Sequence, residues 1–229
     1  MIGGERIGRS EDRIRLVSPT FARQRLDTIL GETRPFTEDG HFLYPADANG
    51  SHASGFFAFE QIARVPAFVG AIADDIAAWI RLGRIEFDVL FAPAQPPVRP
   101  LTEAVAERVD RPTAYWEYLP SGRFGDRLVE GSVSKGAKAL VFNGVSLQGR
   151  CVGLRLPEFV ERLGGTTVAA AVFAKGVAAT VRETEVRMGS RFYATVQVDV
   201  PVYPPSECPA CRAGAAPPVS WRTFAERVP

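Results

Sequence analysis

Lysine, histidine and cysteine, the side chains best suited to Schiff-base, proton-transfer and thiol chemistry near neutral pH, are scarce in this 229-residue sequence. Lys135, Lys138 and Lys175 are the only lysines, His41 and His52 the only histidines, and Cys151, Cys208 and Cys211 the only cysteines. The other basic residues are all arginine, which stays charged and neither accepts a proton nor forms a Schiff base at working pH. This scarcity restricts which residues could do histidine- or lysine-based proton transfer and Schiff-base chemistry. Cys208-Pro209-Ala210-Cys211 offers two thiolates at a spacing that makes half of a structural zinc site. Cys151, a histidine or a second subunit would have to supply the missing ligands. The other reading of the pair is a tail turn that holds no metal. No metal site is assigned on this pattern, and Cys208 and Cys211 are its only candidates.

The bulk composition sets the frame in which these residues act. With 46% hydrophobic and 23% charged residues and a net charge of +1, the chain can bury a real core as one large domain, or as one domain with an appendage. So even a balance excludes nucleic-acid binding driven by counterion release, and the apolar fraction excludes disorder. The first fifteen residues lack the apolar stretch of a signal peptide. The most apolar window, 65–80, is interrupted by Asp74 and Asp75, so it is no membrane span. Three cysteines make no disulfide framework. The expectation is a soluble, cytoplasmic protein with no nucleic-acid or membrane partner.

Hydrophobic periodicity supplies the elements. Residues 1–18 read as a polar arm. Residues 19–30 read as a helix through Phe21, Leu26, Ile29 and Leu30, with Thr20 as its cap. A loop rich in Gly, Pro, Asn and Ser spans 31–55 and holds both histidines; its length suits a functional segment or a small subdomain. Residues 61–83 read as a helix whose regular part starts near Val65, because Pro66 loses nothing at a first helical position. Strands at 87–91, 113–116, 138–142 and 166–174 then alternate with helices at 98–109 and 149–163. This βα alternation predicts a parallel sheet covered on both faces. After Lys175 the pattern changes: 176–190 is polar, 191–203 alternates as an exposed or edge strand does, and 203–218 is a Pro-rich tail. The expected parts are an arm and hood over 1–59, a core over 60–176 and a C-terminal strand and tail over 177–229.

In such a sheet, ligands bind beyond the carboxyl ends of the strands, where three turns lie: 92–101 (APAQPPVRPL), 117–131 (EYLPSGRFGDRLVEG) and 143–149 (NGVSLQG). The third, with the strand before it and the helix after it, resembles the ribose-phosphate signature of type I phosphoribosyltransferases: a strand, two acidic residues, V-x-T-T-G and a helix. Val145 and Gly149 match, Ser146 and Gln148 are polar stand-ins, and Asn143 and Gly144 replace the acidic pair. The 87–117 segment is similar to the family's strand, pyrophosphate loop, helix and strand. GHFLYPADANGSHASGFFAF is similar to the hood of orotate phosphoribosyltransferases through Gly40, His41, Phe42 and His52. The resemblance covers about 21–176 and implies an α/β phosphoribosyltransferase-like parallel sheet with helices on both faces, an N-terminal hood and a C-terminal extension.

What the resemblance implies about the site follows turn by turn. Asn143, Gly144, Val145, Ser146, Leu147, Gln148 and Gly149 would hold a ribose 5-phosphate through backbone N–H groups and hydroxyls. Asn143 could orient the ribose, but without the charge of an acid. Ala94, Gln95 and Arg99 occupy the pyrophosphate loop, where Pro96 and Pro97 supply no N–H. Arg123 and Arg127, flanked by Gly122 and Gly125, would stabilise developing charge on a mobile loop, or else lie on a solvated hairpin. His41 and His52 would line the base side of the hood, touch a second copy, or satisfy loop backbone. The lysine that engages orotate is absent from 55–59. Mg²⁺ with a diphosphate donor, a nucleotide or sugar-phosphate ligand and a homodimer complete the implied picture. Its main form is a divergent phosphoribosyltransferase. Its alternative is a non-catalytic relative acting as a regulatory or partner subunit, and a third is a nucleotide N-glycosidase using Glu117 or Asp126.

Overall fold

The computed structural model describes residues 13–37, 40–43 and 50–220; most of the expected polar arm lies outside them. Its first elements are strand β1 (Ile14–Leu16), helix α1 (Arg23–Thr33) and the short hood strands β2 (Phe36–Thr37), β3 (Phe42–Leu43), β4 (His52–Ala53) and β5 (Phe56–Phe57). Helices α2 (Phe59–Ala63) and α3 (Pro66–Leu82) lead to β6 (Val89–Pro93), α4 (Arg99–Val109), β7 (Thr113–Tyr118) and β8 (Phe124–Glu130). Then follow β9 (Lys138–Ser146), a π-turn at Cys151–Arg155, α5 (Leu156–Arg162), β10 (Thr166–Lys175), α6 (Ala179–Met188) and β11 (Phe192–Val198). The chain closes with β12 (Val202–Tyr203), α7 (Pro209–Arg212) and β13 (Val219–Ser220).

Seven strands form one sheet in the order β1-β11-β10-β9-β6-β7-β8. The five inner strands run parallel, and β1 and β8 close the two edges antiparallel. Period-2 alternation sends neighbouring residues to opposite faces. Leu90, Leu140, Phe142, Ala171 and Phe173 pack with α1, α3 and α4. Val89, Phe91, Ala139, Val141 and Val172 pack with the π-turn and α5. A strand buried on both faces must be apolar throughout, which is why KALVF and TTVAAAVFA carry no alternation. Pro66 is the first residue of α3, with Val65 extended before it, as a proline at the first helical position requires.

Three expectations need correction. The alternating 191–203 segment is not one edge strand: β11 lies inside the main sheet between β1 and β10 and is largely buried, because part of the presumed arm pairs with it as β1, and only β12 lies at an edge, that of the hood sheet. The polar 176–190 stretch contains α6, whose Val181 and Thr184 are buried. The main sheet thus draws strands from either side of the expected core boundaries at 59 and 176. Thr20 does not cap α1, which starts after Ala22 with no side-chain cap; its hydroxyl donates to Asp75 instead.

That last contact belongs to a buried polar knot. Asp75 of α3 is 7% exposed and accepts from Ser18 Oγ at 3.0 Å, Thr20 Oγ1 at 2.5 Å and the Tyr193 hydroxyl. It joins the arm, a helix and β11. Burial, then the Asp75 carboxylate, raises the Tyr193 phenol above its usual value, so the folded protein keeps a proton that the unfolded chain loses above about pH 10. Stability is therefore expected to be undiminished by this group below that pH and to fall as pH rises beyond it, with a shallower fall in Tyr193→Phe, as denaturant titrations at alkaline pH would register. Asp75→Ala is expected to cost about 2–4 kcal/mol because three donors lose a charged acceptor. Asp74→Ala, next door, should cost less than about 1 kcal/mol, since its ion pair with Arg108 lies in solvent. Equal costs in chemical denaturation would contradict this division.

Candidate functional site

A cleft with a volume of about 530 Å³ opens at the carboxyl ends of β6, β7 and β9. Its floor is the end of β9 and the turn after it. Gly149 adopts φ +71°, and a Cβ there would stand 2.7 Å from the Val181 amide nitrogen; only glycine meets both demands. The turn is pressed onto the start of α6, where the Thr180 hydroxyl donates to the Gln148 carbonyl. Gly176 donates its N–H to the Ser146 carbonyl at 3.2 Å, and a Cβ on it would stand 1.9 Å from the Leu147 carbonyl oxygen. Ser146 Oγ is buried with no hydrogen-bond partner. A buried hydroxyl without a partner is costly in a finished core, and this one belongs to a residue that lines the cleft.

Asn143, Val145, Ser146, Leu147, Gln148 and Gly149 all line the cleft, so the structure brings this predicted set together. Gly144 does not line it, and the reason bears on the missing acids. A Cβ at Gly144 would stand 2.7 Å from the Phe59 ring. Phe59 is 3% exposed, packs on Phe173 and faces the cleft itself. An aromatic ring thus fills the space that an acidic side chain at 144 would need. Asn143 is turned to local duty: its amide donates to Cys151 Sγ at 2.9 Å, and its oxygen accepts the Gly144 N–H at 2.8 Å. Burial pushes the Cys151 thiol up to about 12 even though this donor opposes the rise, so Cys151 is no ready nucleophile.

The other two turns divide. Gln95 lines the cleft, but Ala94 and Arg99 do not. Arg99 lies over the Tyr115 ring and pairs with Glu130 at 2.8 Å. The 117–131 segment is an antiparallel β7–β8 hairpin, fastened by the Trp116 indole N–H on the Gly125 carbonyl. Arg123 at its tip lines the cleft, whereas Arg127 faces solvent and pairs with Glu117 at 3.0 Å. Neither Glu117 nor Asp126 lines the cleft, which leaves hydrolysis without the carboxylates expected for it.

Sequence reasoning missed the opposite wall. Arg150, Arg155 and Arg162 line the cleft from the π-turn and α5. Arg155 pairs with Glu158 at 3.1 Å, and Arg162 lies over the stacked Trp116–Phe159 pair. The signal was present in R-C-V-G-L-R-L-P-E-F-V-E-R, where arginines recur five and seven residues apart. Facing them is the apolar hood: Phe42, Ala53, Phe56 and Phe57. The cleft's carboxyls are Glu60 and Glu158. Burial raises the Glu60 carboxyl, against its own backbone and Arg64.

His41 and His52 do not line the cleft. His41 Nε2 lies 2.9 Å from His52 Nδ1, and both rings face Cys208 and Cys211. Burial, then the His41 ring, lowers the His52 imidazole, which favours its neutral form.

Comparison with known proteins matches this geometry. The chain is 28% identical to orotate phosphoribosyltransferase of Sulfurovum sp. (strain NBC37-1) over 185 residues, 77% of this chain and 89% of the relative. It is 26% identical to that of Campylobacter hominis over 201 residues, 83% of this chain and 94% of the relative. Among solved structures, orotate phosphoribosyltransferase from Aeropyrum pernix superposes with a TM-score of 0.56 at 17% identity, over 89% of this chain and 98% of that one. Adenine phosphoribosyltransferase from Trypanosoma brucei, in complex with AMP, pyrophosphate and ribose-5-phosphate, superposes with a TM-score of 0.54 at 13% identity, over 80% and 82%. No family model matches. The expected resemblance is borne out: the fold is that of the type I phosphoribosyltransferases, and the sequence is orotate phosphoribosyltransferase-like.

The Phe59–Gly144 contact gives a direct test of why the acidic pair is absent. Gly144→Ala is expected to cost about 1–3 kcal/mol by overpacking, and less than half of that in a Phe59→Leu background. Additive costs in a double-mutant cycle would show that ring and side chain do not compete.

Proposed function

We propose that this chain is a divergent phosphoribosyltransferase-like protein whose cleft binds a ribose 5-phosphate compound, with a nucleoside monophosphate as the ligand that fills it. The observation that carries this reading is the buried, unpartnered Ser146 hydroxyl at the turn that resembles the family's ribose-phosphate signature. Ser146, Gln148 and Gly149 bind the 5-phosphate through hydroxyl, amide and backbone N–H groups. Arg150 and Arg155 add positive charge beside it, and the Phe42–Phe56–Phe57 wall covers the base. In transfer, the bond from ribose C1 to its leaving group breaks as a bond to a base nitrogen forms, through an oxocarbenium-like state. Arg123 at the hairpin tip stabilises charge gathering on the leaving group.

Mg²⁺ fits this donor set poorly. Such an ion is usually held by one or two carboxylates together with substrate phosphates, and positions 143 and 144 supply an engaged amide and a bare backbone. No step is assigned to it. The same feature supports the second reading, a non-catalytic relative that keeps the nucleotide site as a regulatory or partner subunit. A homodimer and a cytoplasmic setting belong to either reading, and a sedimentation mass of twice the 24.9 kDa chain would bear out the first of these.

Isothermal calorimetry with ribose 5-phosphate and nucleoside monophosphates tests the binding step. Ser146→Ala is expected to weaken binding about tenfold, the loss of one good hydrogen bond. Absence of binding by the natural protein would sink the proposal. Incubation with phosphoribosyl diphosphate, Mg²⁺ and a panel of bases then separates the readings: turnover supports transfer, and binding without turnover supports the non-catalytic relative.

A further inference from the structure

Outside the cleft, four side chains with metal-binding atoms converge. His41 and His52 come from the hood, Cys208 and Cys211 from the tail, more than 150 residues away in sequence, and their ligand atoms all lie within 4.8 Å of one another. His41 Nε2 is 2.9 Å from His52 Nδ1 and 3.5 Å from each sulfur, and Cys211 Sγ is 3.2 Å from His52 Nδ1. We propose that these four residues form a structural zinc site that staples the tail to the hood.

Three features point to a metal rather than to a hydrogen-bonded cluster. The first is the state of His41. Its Nδ1 lies 2.8 Å from the Ala216 carbonyl, which can only accept, so Nδ1 is the donor there and Nε2 is the nitrogen turned to the other three residues, available as a ligand in the neutral ring. A ligating histidine whose other nitrogen donates to a carbonyl is the usual outer arrangement of zinc sites. The second is size. Zn–N bonds of about 2.0–2.1 Å and Zn–S bonds of about 2.3 Å in a tetrahedron place ligand atoms roughly 3.3–3.8 Å apart. The three nitrogen–sulfur separations, 3.2–3.5 Å, are close to those edges, the two nitrogens at 2.9 Å stand inside them, and all four atoms lie within 4.8 Å of one another; two sulfurs with two imidazoles suit zinc. The third is need. The hood sheet, in the order β12-β4-β3-β13, is built from two-residue strands, too short to hold together by pairing alone. The four ligands lie before β3, in β4, and on the Cys208–Cys211 turn between β12 and β13, so one ion ties all four strands. Both cysteines are free thiols, as ligands must be.

The test uses the full chain purified under reducing conditions without chelator. Elemental analysis is expected to find about one zinc per chain, falling to about a tenth of that or less in Cys211→Ser and in His41→Asn. Cys211 is exposed, so its serine variant should fold, and an unchanged circular dichroism spectrum verifies that. Cys151→Ser, whose thiol lies outside the cluster, should retain the ion. Cobalt in place of zinc is expected to give the visible ligand-field bands of a tetrahedral site with thiolate charge transfer, and Cys211→Ser to lose them. Chelation should raise hydrogen exchange in 40–43 and 50–53 ahead of the central sheet. The proposal is overturned if the natural chain takes up neither zinc nor cobalt, if Cys211→Ser binds them as well as it does, or if mass spectrometry finds a Cys208–Cys211 disulfide in the freshly purified protein.

Discussion

The cleft depends on one close approach, that of the β9 turn to the start of α6. Side chains are excluded where the two meet: a Cβ on Gly176 would overlap the Leu147 carbonyl, and one on Gly149 would press on the backbone at Thr180 and Val181. Because the two segments touch backbone to backbone, the turn cannot relax away from the sheet. Its hydroxyl and N–H groups are held at the mouth of the parallel strands rather than swept into solvent. The neighbouring β10 supports the turn through the Gly176–Ser146 hydrogen bond, and the buried sheet supports β10. Binding chemistry at this position is thus a consequence of the packing of two elements whose sequences look unremarkable apart from their glycines.

On that floor the charges are unevenly spread. Four arginines face the cleft against two glutamates, one of which is already paired with Arg155. In a partly desolvated cleft such an excess favours an anion. The site also exchanges something for its missing acids. Where a carboxylate at 144 would have gripped hydroxyls or a hydrated cation, the Phe59 ring packs on Gly144 and Phe173 and adds apolar surface to the cleft wall. An aromatic wall can hold a base but contributes nothing to charge developing on a diphosphate. Such a wall suits apolar contact with a base better than it suits stabilising charge.

How much was legible in the sequence follows from which signals are local. The buried strands and α3 could be read because continuous apolar runs, helical spacing and Pro66 act within a few residues. The ribose-phosphate turn could be read because a strand, a polar turn and a helix are consecutive. The interior position of β11 could not, because the strand that covers it lies 180 residues or more before its partners: Ile14 pairs with Val198 and Leu16 with Val196. The arginine wall was missed because α5 was read for its apolar face alone. Asn143 looked like a ribose ligand in one dimension, and only the fold reveals that Cys151 takes its amide. Arg127 and Arg99 look as available as Arg123 until the hairpin and α4 place glutamates beside them.

The histidines show most clearly how one dimension misleads. Their place in the hood suggested the base side of a pocket, and the hood does wall the cleft, but alternation along a strand separates the two faces. In β4, Ala53 lines the cleft while His52, the residue before it, faces His41 and the tail cysteines. The hood sheet therefore has a face on the cleft and a polar face. Packing of Phe42 and Ala53 into the main core fixes the first face, and the contacts of the polar face tie the two-residue strands to the tail. Val219 donates to the His41 carbonyl, and His41 in turn donates to Ala216, so the tail is bound into the hood even before the thiols are considered. The C-terminal segment is paired through β12 and β13 with the hood strands whose Phe42 and Ala53 line the cleft.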